Sequence, residues 1–275
     1  MTSSSWECPV TSQHPFLNSY RHNALKLLTL ARDLQRRKAR ERQRLFAVEG
    51  VRAVEELIAS PARIRGVLVS PALATTSRGA ALEAAIRNAG TELLPVSEDD
   101  LASAAETDSP QGVLAVAEVP DTGFADLPAT PMRLVILDGV QDPGNVGTII
   151  RTAAAFGAAG VVAMPGTVDL WNAKVVRGTM GASFRVPVWA AEWGDLDAYR
   201  ASTDLAVWGA DASGQPIDSV AAPARLALVV GNEGAGLSAE ARQRTTALVA
   251  LPLAPIVESL NVAVATGILL YQLRQ

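Results

Sequence analysis

The sequence predicts an α/β protein of two domains. Three observations carry this. From residue 132 onward, the apolar runs Leu134-Val135-Ile136-Leu137 and Leu226-Ala227-Leu228-Val229-Val230 have the composition of buried strands, and each leads into a glycine-bearing turn. Between residues 21 and 117, shorter strand-like and helix-like patterns alternate. Between the two parts lies Pro120-Asp121-Thr122-Gly123-Phe124-Ala125-Asp126-Leu127-Pro128-Ala129-Thr130-Pro131, whose prolines and small residues suit a linker. A length of 275 residues and 49% hydrophobic content are sufficient for two cores of ordinary size.

In chain order, residues 1–20 read as a flexible tail that holds Cys8 and His14. The first ten residues contain no signal-type apolar core, and no apolar stretch reaches the roughly 18 residues of a membrane span. A cytoplasmic location without membrane attachment is therefore expected. The single cysteine cannot form an internal disulfide.

Charge is distributed unevenly. The chain carries −4 overall with a pI near 5.3, yet between Arg21 and Arg52 ten Lys/Arg face three Asp/Glu, a local +7 that leaves −11 for the rest. The run Arg36, Arg37, Lys38, Arg40, Arg42 and Arg44 would put a band of cations around a helix, and such bands bind phosphate backbones without reading sequence. A solvated helix face is the commoner origin of a charge run, so both readings stand at this point.

The rest of the first domain follows from its periodicity. Leu45 to Val48, Ile64 to Val69, Leu93 to Val96 and Val113 to Val116 read as strands, and Val51 to Ala59 and Ala80 to Asn88 as helices. Nothing there looks catalytic, so binding is the expected role of residues 21–117, with a linker over 118–131.

In the second domain, residues 132–275, Pro143-Gly144 breaks the chain after its first strand, and a helix is expected to start at or near Asn145, a good capping residue. Val146, Ile149, Ile150 and Ala153 form its inward stripe, while Asn145, Thr148, Arg151 and Thr152 share another face. The second strand runs into Gly231-Asn232-Glu233-Gly234-Ala235-Gly236, a GxxGxG spacing that lacks the ending of a phosphate loop. Further on, Ser259 is positioned to cap a last helix that is apolar nearly all round, with Asn261 close to its first turn. No histidine or cysteine occurs after His22, which excludes Ser-His-Asp and Cys-His catalysis and any His/Cys zinc site from this domain. The candidates left for chemistry are Asn145, Arg151, Glu233, Ser259 and Asn261, and no metal is expected.

The segments DPGNVGTIIRTAAAFGA, LVVGNEGAGLS and LPLAPIVESLNVAVATGI resemble the three signature motifs of the SpoU/TrmH family of ribose 2'-O-methyltransferases, in the SPOUT superfamily. The resemblance covers residues 132 to 275, and residues 21 to 117 more loosely resemble the ribosomal-protein-like (L30e/L7Ae-like) substrate-binding domain of many members. It implies a parallel sheet with a trefoil knot, a homodimer, S-adenosylmethionine as cofactor and RNA as partner, with 23S rRNA ahead of tRNA as substrate. An inactive RNA-binding scaffold is the third reading. The resemblance further implies that Arg151 acts on the ribose 2'-hydroxyl, that Asn145 and Glu233 orient it, that Ser259 and Asn261 hold loop and substrate, and that backbone groups of Gly231, Leu251 and Leu260 bind the cofactor. A guanidinium stays protonated in proteins, so Arg151 is expected to stabilise a developing alkoxide or bind a phosphate while water or another group accepts the proton. This chain departs from the family where Thr179 and Ala263 stand at positions frequently occupied by serine.

Overall fold

The apolar alternation of the first half becomes a four-stranded mixed sheet in the computed structural model, which describes residues 15–274. Cys8 and His14 lie outside the described residues. Helix α1 (Pro15–Asp33) begins inside the span expected as a tail, and its buried stripe of Ala24, Leu27, Leu28 and Ala31 follows that span. Then come α2 (Arg37–Gln43), β1 (Leu45–Glu49), α3 (Val51–Ile58), β2 (Ile64–Val69), α4 (Ser77–Asn88), β3 (Leu93–Pro95), α5 (Glu98–Ala104) and β4 (Val113–Glu118). Their sheet order is β1-β4-β2-β3, with β4 antiparallel to both neighbours and β3 parallel to β2. Helix α4 starts three residues before the expected Ala80, since the Thr76 side chain accepts the Gly79 N–H and nucleates the turn earlier. Helix α5 had no periodicity to announce it and rests on its start signal, a Ser97 cap followed by Glu98, Asp99 and Asp100.

The second domain contains β5 (Met132–Asp138), α6 (Pro143–Ala155), β6 (Gly160–Ala163), α7 (Ala173–Gly178), β7 (Val188–Ala190) and α8 (Trp193–Ala201). It continues with β8 (Ala206–Pro216), β9 (Arg225–Gly231), α9 (Ala239–Arg244), β10 (Ala247–Ala250) and α10 (Val262–Leu273). The sheet is wholly parallel in the order β10-β8-β9-β5-β6-β7, the expected α/β class. Every residue of β5 and β9 is buried, as strands covered on both faces require. Asp138 is paired with Gly231 at the carboxyl ends of these strands, so the turns after β5 and β9 leave the sheet side by side. That edge is where open α/β sheets gather ligands. After β10 the chain returns across residues 251–261 to pack α10 on α6.

The two domains share one apolar core. Phe46 of β1 meets Trp171 at 4.3 Å and Phe184 at 6.1 Å between ring centroids, while Leu45 on the opposite face of the same strand packs toward α1. Ion pairs cross the junction from Arg40 to Asp169, Arg177 to Glu49 and Arg185 to Glu56. The proline-rich segment is docked too, with the Phe124 ring 5.4 Å from Trp189 and 5.3 Å from Tyr199. No helix among the described residues is long and apolar enough to cross a membrane.

Candidate active site

The turn that follows β5 sets the first side of the site. Asp142, not Asn145, is the residue that caps α6: its carboxylate accepts the Asn145 N–H at 2.8 Å, and Pro143 occupies the first helical position. An extended residue followed by proline makes a ready helix start, so the expectation for Asn145 is off by one turn. Asn145 therefore stands inside the first turn, with its amide free for other partners. Its Nδ2 donates to Glu233 Oε1 at 3.0 Å, and its Oδ1 accepts from Asn261 Nδ2 at 2.9 Å.

Glu233 lies in the turn after β9 and closes onto the start of α6. Its carboxylate accepts the N–H groups of Gln141 (3.2 Å) and Asp142 (3.1 Å) besides the Asn145 amide. Partial burial pushes its pKa up, but the Asn145 bond and the surrounding backbone N–H groups outweigh this and hold it below the ordinary 4.5. Glu233 is accordingly an acceptor at neutral pH, suited to orienting Asn145 and not to exchanging a proton. Its turn is held by Asn232, whose Oδ1 accepts from Gly234 (3.0 Å) and Ala235 (2.9 Å) and whose Nδ2 donates to Gly139 O (2.9 Å). Gly231 is required by packing: a Cβ there would lie 2.3 Å from the Gly236 carbonyl carbon.

The third side is the start of α10. Asn261 is the cap, its Oδ1 accepting from Ala263 (2.9 Å) and Val264 (3.3 Å), which corrects the expectation that Ser259 would cap this helix. Helical geometry begins at Val262, so the cap falls to the residue immediately before it. Ser259 is exposed and makes no side-chain hydrogen bond among the described residues. Leu251 is half-buried and Leu260 exposed, in a segment that reaches its most open point at Ile256, 92% exposed.

Glu233, Asn145 and Asn261 thus join three segments far apart in sequence through one hydrogen-bonded chain. Arg151 stands further along α6, exposed and without an ion pair or hydrogen bond among the described residues, so Asn145 and Glu233 do not hold it here. Sequence reasoning passed over Asp142 and Asn232. The Asp-Pro pair at a strand end was the available signal for the first, and nothing distinguished the second from an ordinary loop asparagine. Among the described residues no cluster of three or more His, Cys, Asp or Glu could hold a metal ion.

The cationic run behaves unevenly. Arg36 and Arg42 both pair with Asp33, Arg37 with Glu41 at 2.7 Å, and Arg44 with Asp121 at 2.9 Å, all on exposed surface. Lys38 is exposed and makes no ion pair among the described residues. Arg40 is different and corrects its expected role. It is 4% exposed, bound to Asp169 at 2.7 Å and to the carbonyls of Leu34 (2.7 Å) and Gln35 (2.9 Å), because it lies beside Ala39 on the inward face of α2. It locks the domain junction, and its burial takes it off the surface that could meet a phosphate backbone.

The sequence model of the SpoU rRNA Methylase family matches residues 132–271, the span that contains all three bridged segments. The chain belongs to this family. The MRM3-like substrate binding domain matches residues 28–115. Among similar proteins, the Bacillus subtilis 23S rRNA (guanosine(2553)-2'-O)-methyltransferase RlmP is 36% identical over 242 residues, covering 88% of this chain and 93% of RlmP. Among solved structures, the SpoU methyltransferase AviRb of Streptomyces viridochromogenes with AdoMet bound gives a TM-score of 0.81 at 28% identity, covering 90% and 96% of the two chains. An AdoMet-bound rRNA methyltransferase from Sinorhizobium meliloti gives 0.77 at 30% identity, covering 90% and 93%.

Proposed function

We propose that this protein methylates a ribose 2'-hydroxyl of 23S ribosomal RNA with S-adenosylmethionine as donor. The observation that carries this is the Glu233–Asn145–Asn261 hydrogen-bonded chain at the carboxyl edge of the parallel sheet, with Arg151 further along the same helix α6, exposed and without a partner among the described residues. The 2'-O-methyltransferase RlmP supports the choice of reaction and of RNA.

The residues present fit the cofactor. Residues 252–260 make one hydrogen bond among themselves, from Val257 N–H to Ala254 O at 3.0 Å, so most of their peptide groups are available to the edge of an adenine. Leu251, Leu260 and the backbone at Gly231 are the groups that would hold it. When bound, S-adenosylmethionine supplies an electrophilic methyl on a sulfonium. The protein then needs mainly to place the 2'-oxygen, and orientation can lower a barrier by about 7–11 kcal/mol. Arg151 stabilises the developing alkoxide or binds the adjacent phosphate, water or another group takes the proton, and Asn145 with Asn261 shapes the pocket around the ribose. Ser259 lies in the loop that closes on the substrate.

Residues 21–117 supply further RNA contacts, with Arg36, Arg37, Lys38, Arg42 and Arg44 on the phosphate backbone and the enzyme in the cytoplasm with its substrate. A homodimer is supported by Val264, Ile268 and Tyr271, an exposed apolar stripe along α10. The return of the chain from β10 to α6 supports the trefoil path of the family. The test is incubation of the protein with labelled S-adenosylmethionine and separated rRNA and tRNA lacking the modification, followed by mapping of the methylated ribose. Label in 23S rRNA is expected, and Arg151→Ala should abolish transfer while cofactor binding persists; label in tRNA alone would overturn the substrate.

A further inference from the structure

The turn Arg177-Gly178-Thr179-Met180-Gly181 has no part in the hydrogen-bonded chain above, yet it is built against it. A Cβ on Gly178 would lie 3.2 Å from Gly147 Cα and 3.8 Å from Pro143 O, so this turn rests on the first turn of α6, where Asn145 stands. From there Met180 projects into a cleft of about 930 Å³ between the two domains, within the size range of ligand pockets. Met180 is 48% exposed and holds a left-handed backbone with φ of 51°, an arrangement that costs on the order of 1–2 kcal/mol for a residue with a side chain. Neither feature serves the core.

The opposite wall has a matching chemistry. Gln111 lines it with its Oε1 fixed by the Val51 N–H at 2.9 Å, which leaves the two amide N–H groups as donors. The other cations of the cleft are taken, Arg78 by Glu55 and Arg177 by the buried Glu49. Arg52 makes no ion pair or hydrogen bond among the described residues, although its charge is felt at Glu55. A polarizable thioether, an amide and an available guanidinium around one cleft match a nucleobase with its phosphate.

We propose that this interdomain cleft binds an unpaired nucleotide flanking the target ribose, with Met180 as the apolar surface under the base and Arg52 on the phosphate. The proposal rests on the ribosomal-RNA reading above and adds a substrate-selecting site to it. The test compares Met180→Gly, Met180→Leu and Arg52→Gln with the parent enzyme on in vitro transcribed 23S rRNA. Glycine suits the left-handed backbone, so the fold is retained and thermal melting checks this. Met180→Gly is expected to raise KM for the RNA about five- to tenfold, Met180→Leu to recover most of that loss, and KM for S-adenosylmethionine to stay within about twofold. Arg52→Gln should flatten the salt dependence of RNA binding by about one phosphate contact. An active parent with unchanged RNA KM and salt slope in these variants would overturn the cleft alone. A rise confined to the KM for S-adenosylmethionine would do the same, by assigning the turn to the cofactor. A parent that methylates no ribosomal RNA would instead overturn the functional reading, and the cleft with it.

Discussion

Asn145 commits both ends of its amide, donating to Glu233 and accepting from Asn261, and this makes it the residue least replaceable by a near isostere. Asn145→Asp sets a carboxylate oxygen where a donor lay 3.0 Å from Glu233, so attraction becomes repulsion. Methyl transfer at neutral pH is expected to fall by about 100-fold or more, as for loss of an oriented polar group in an active site. Acid sensitivity should move as well. Glu233 titrates below its ordinary 4.5 in the folded chain, so its contribution to stability is full above the unfolded value and is lost as pH falls through the lower, folded one. In the variant the two facing carboxylates raise each other, so its stability deficit against the parent is expected to be largest at neutral pH and to narrow as pH falls through the carboxylate range, which urea unfolding at pH 7 and at pH 4 would register. Residue types alone pointed to Glu233, Asn145 and Asn261, because no histidine or cysteine competed for the role. They could not reveal which asparagine caps a helix and which bridges, since the same amide suits both. Arg40 shows a similar limit: a charge run reads as solvated until tertiary packing buries one member against Asp169.

At the scale of elements, α6 and α7 cross where Gly147 faces Gly178. A Cβ on Gly147 would meet Gly178 Cα at 2.8 Å and Val175 O at 2.9 Å, and these are backbone atoms that cannot rotate away. Gly147→Ala must push the helices apart, at a cost of about 1–3 kcal/mol in urea unfolding. Turnover should drop more steeply than stability implies, because Asn145 is carried on the displaced turn. Strands and turns were readable in the sequence because apolar runs ended at glycine or proline. Helix α10 was read as a core helix from its apolar circumference, whereas Val264, Ile268 and Tyr271 are exposed in the single chain. Periodicity cannot separate a face that meets the chain's own core from one that meets another copy.

For the whole molecule, that exposed stripe is where the proposed dimer is tested. Ile268→Glu places a charge on it at a position 40% exposed, where the folded chain tolerates it. Sedimentation should show a dimer for the parent and a monomer for the variant; a monomeric parent would remove the dimer from the functional reading. The two-domain plan was legible from composition, but the closeness of the domains was not, since Phe46 and Trp171 lie 125 positions apart in the sequence. The shared core also has a consequence in time. Synthesis delivers the first domain long before Trp171 and Phe184 exist, so β1 leaves the ribosome with one finished face toward α1 and one unfinished face bearing Phe46 and Val48. Until the second half arrives, α3 packs on that face but Phe46 lacks Trp171 and Phe184, so the nascent chain carries an unfinished apolar patch during that interval.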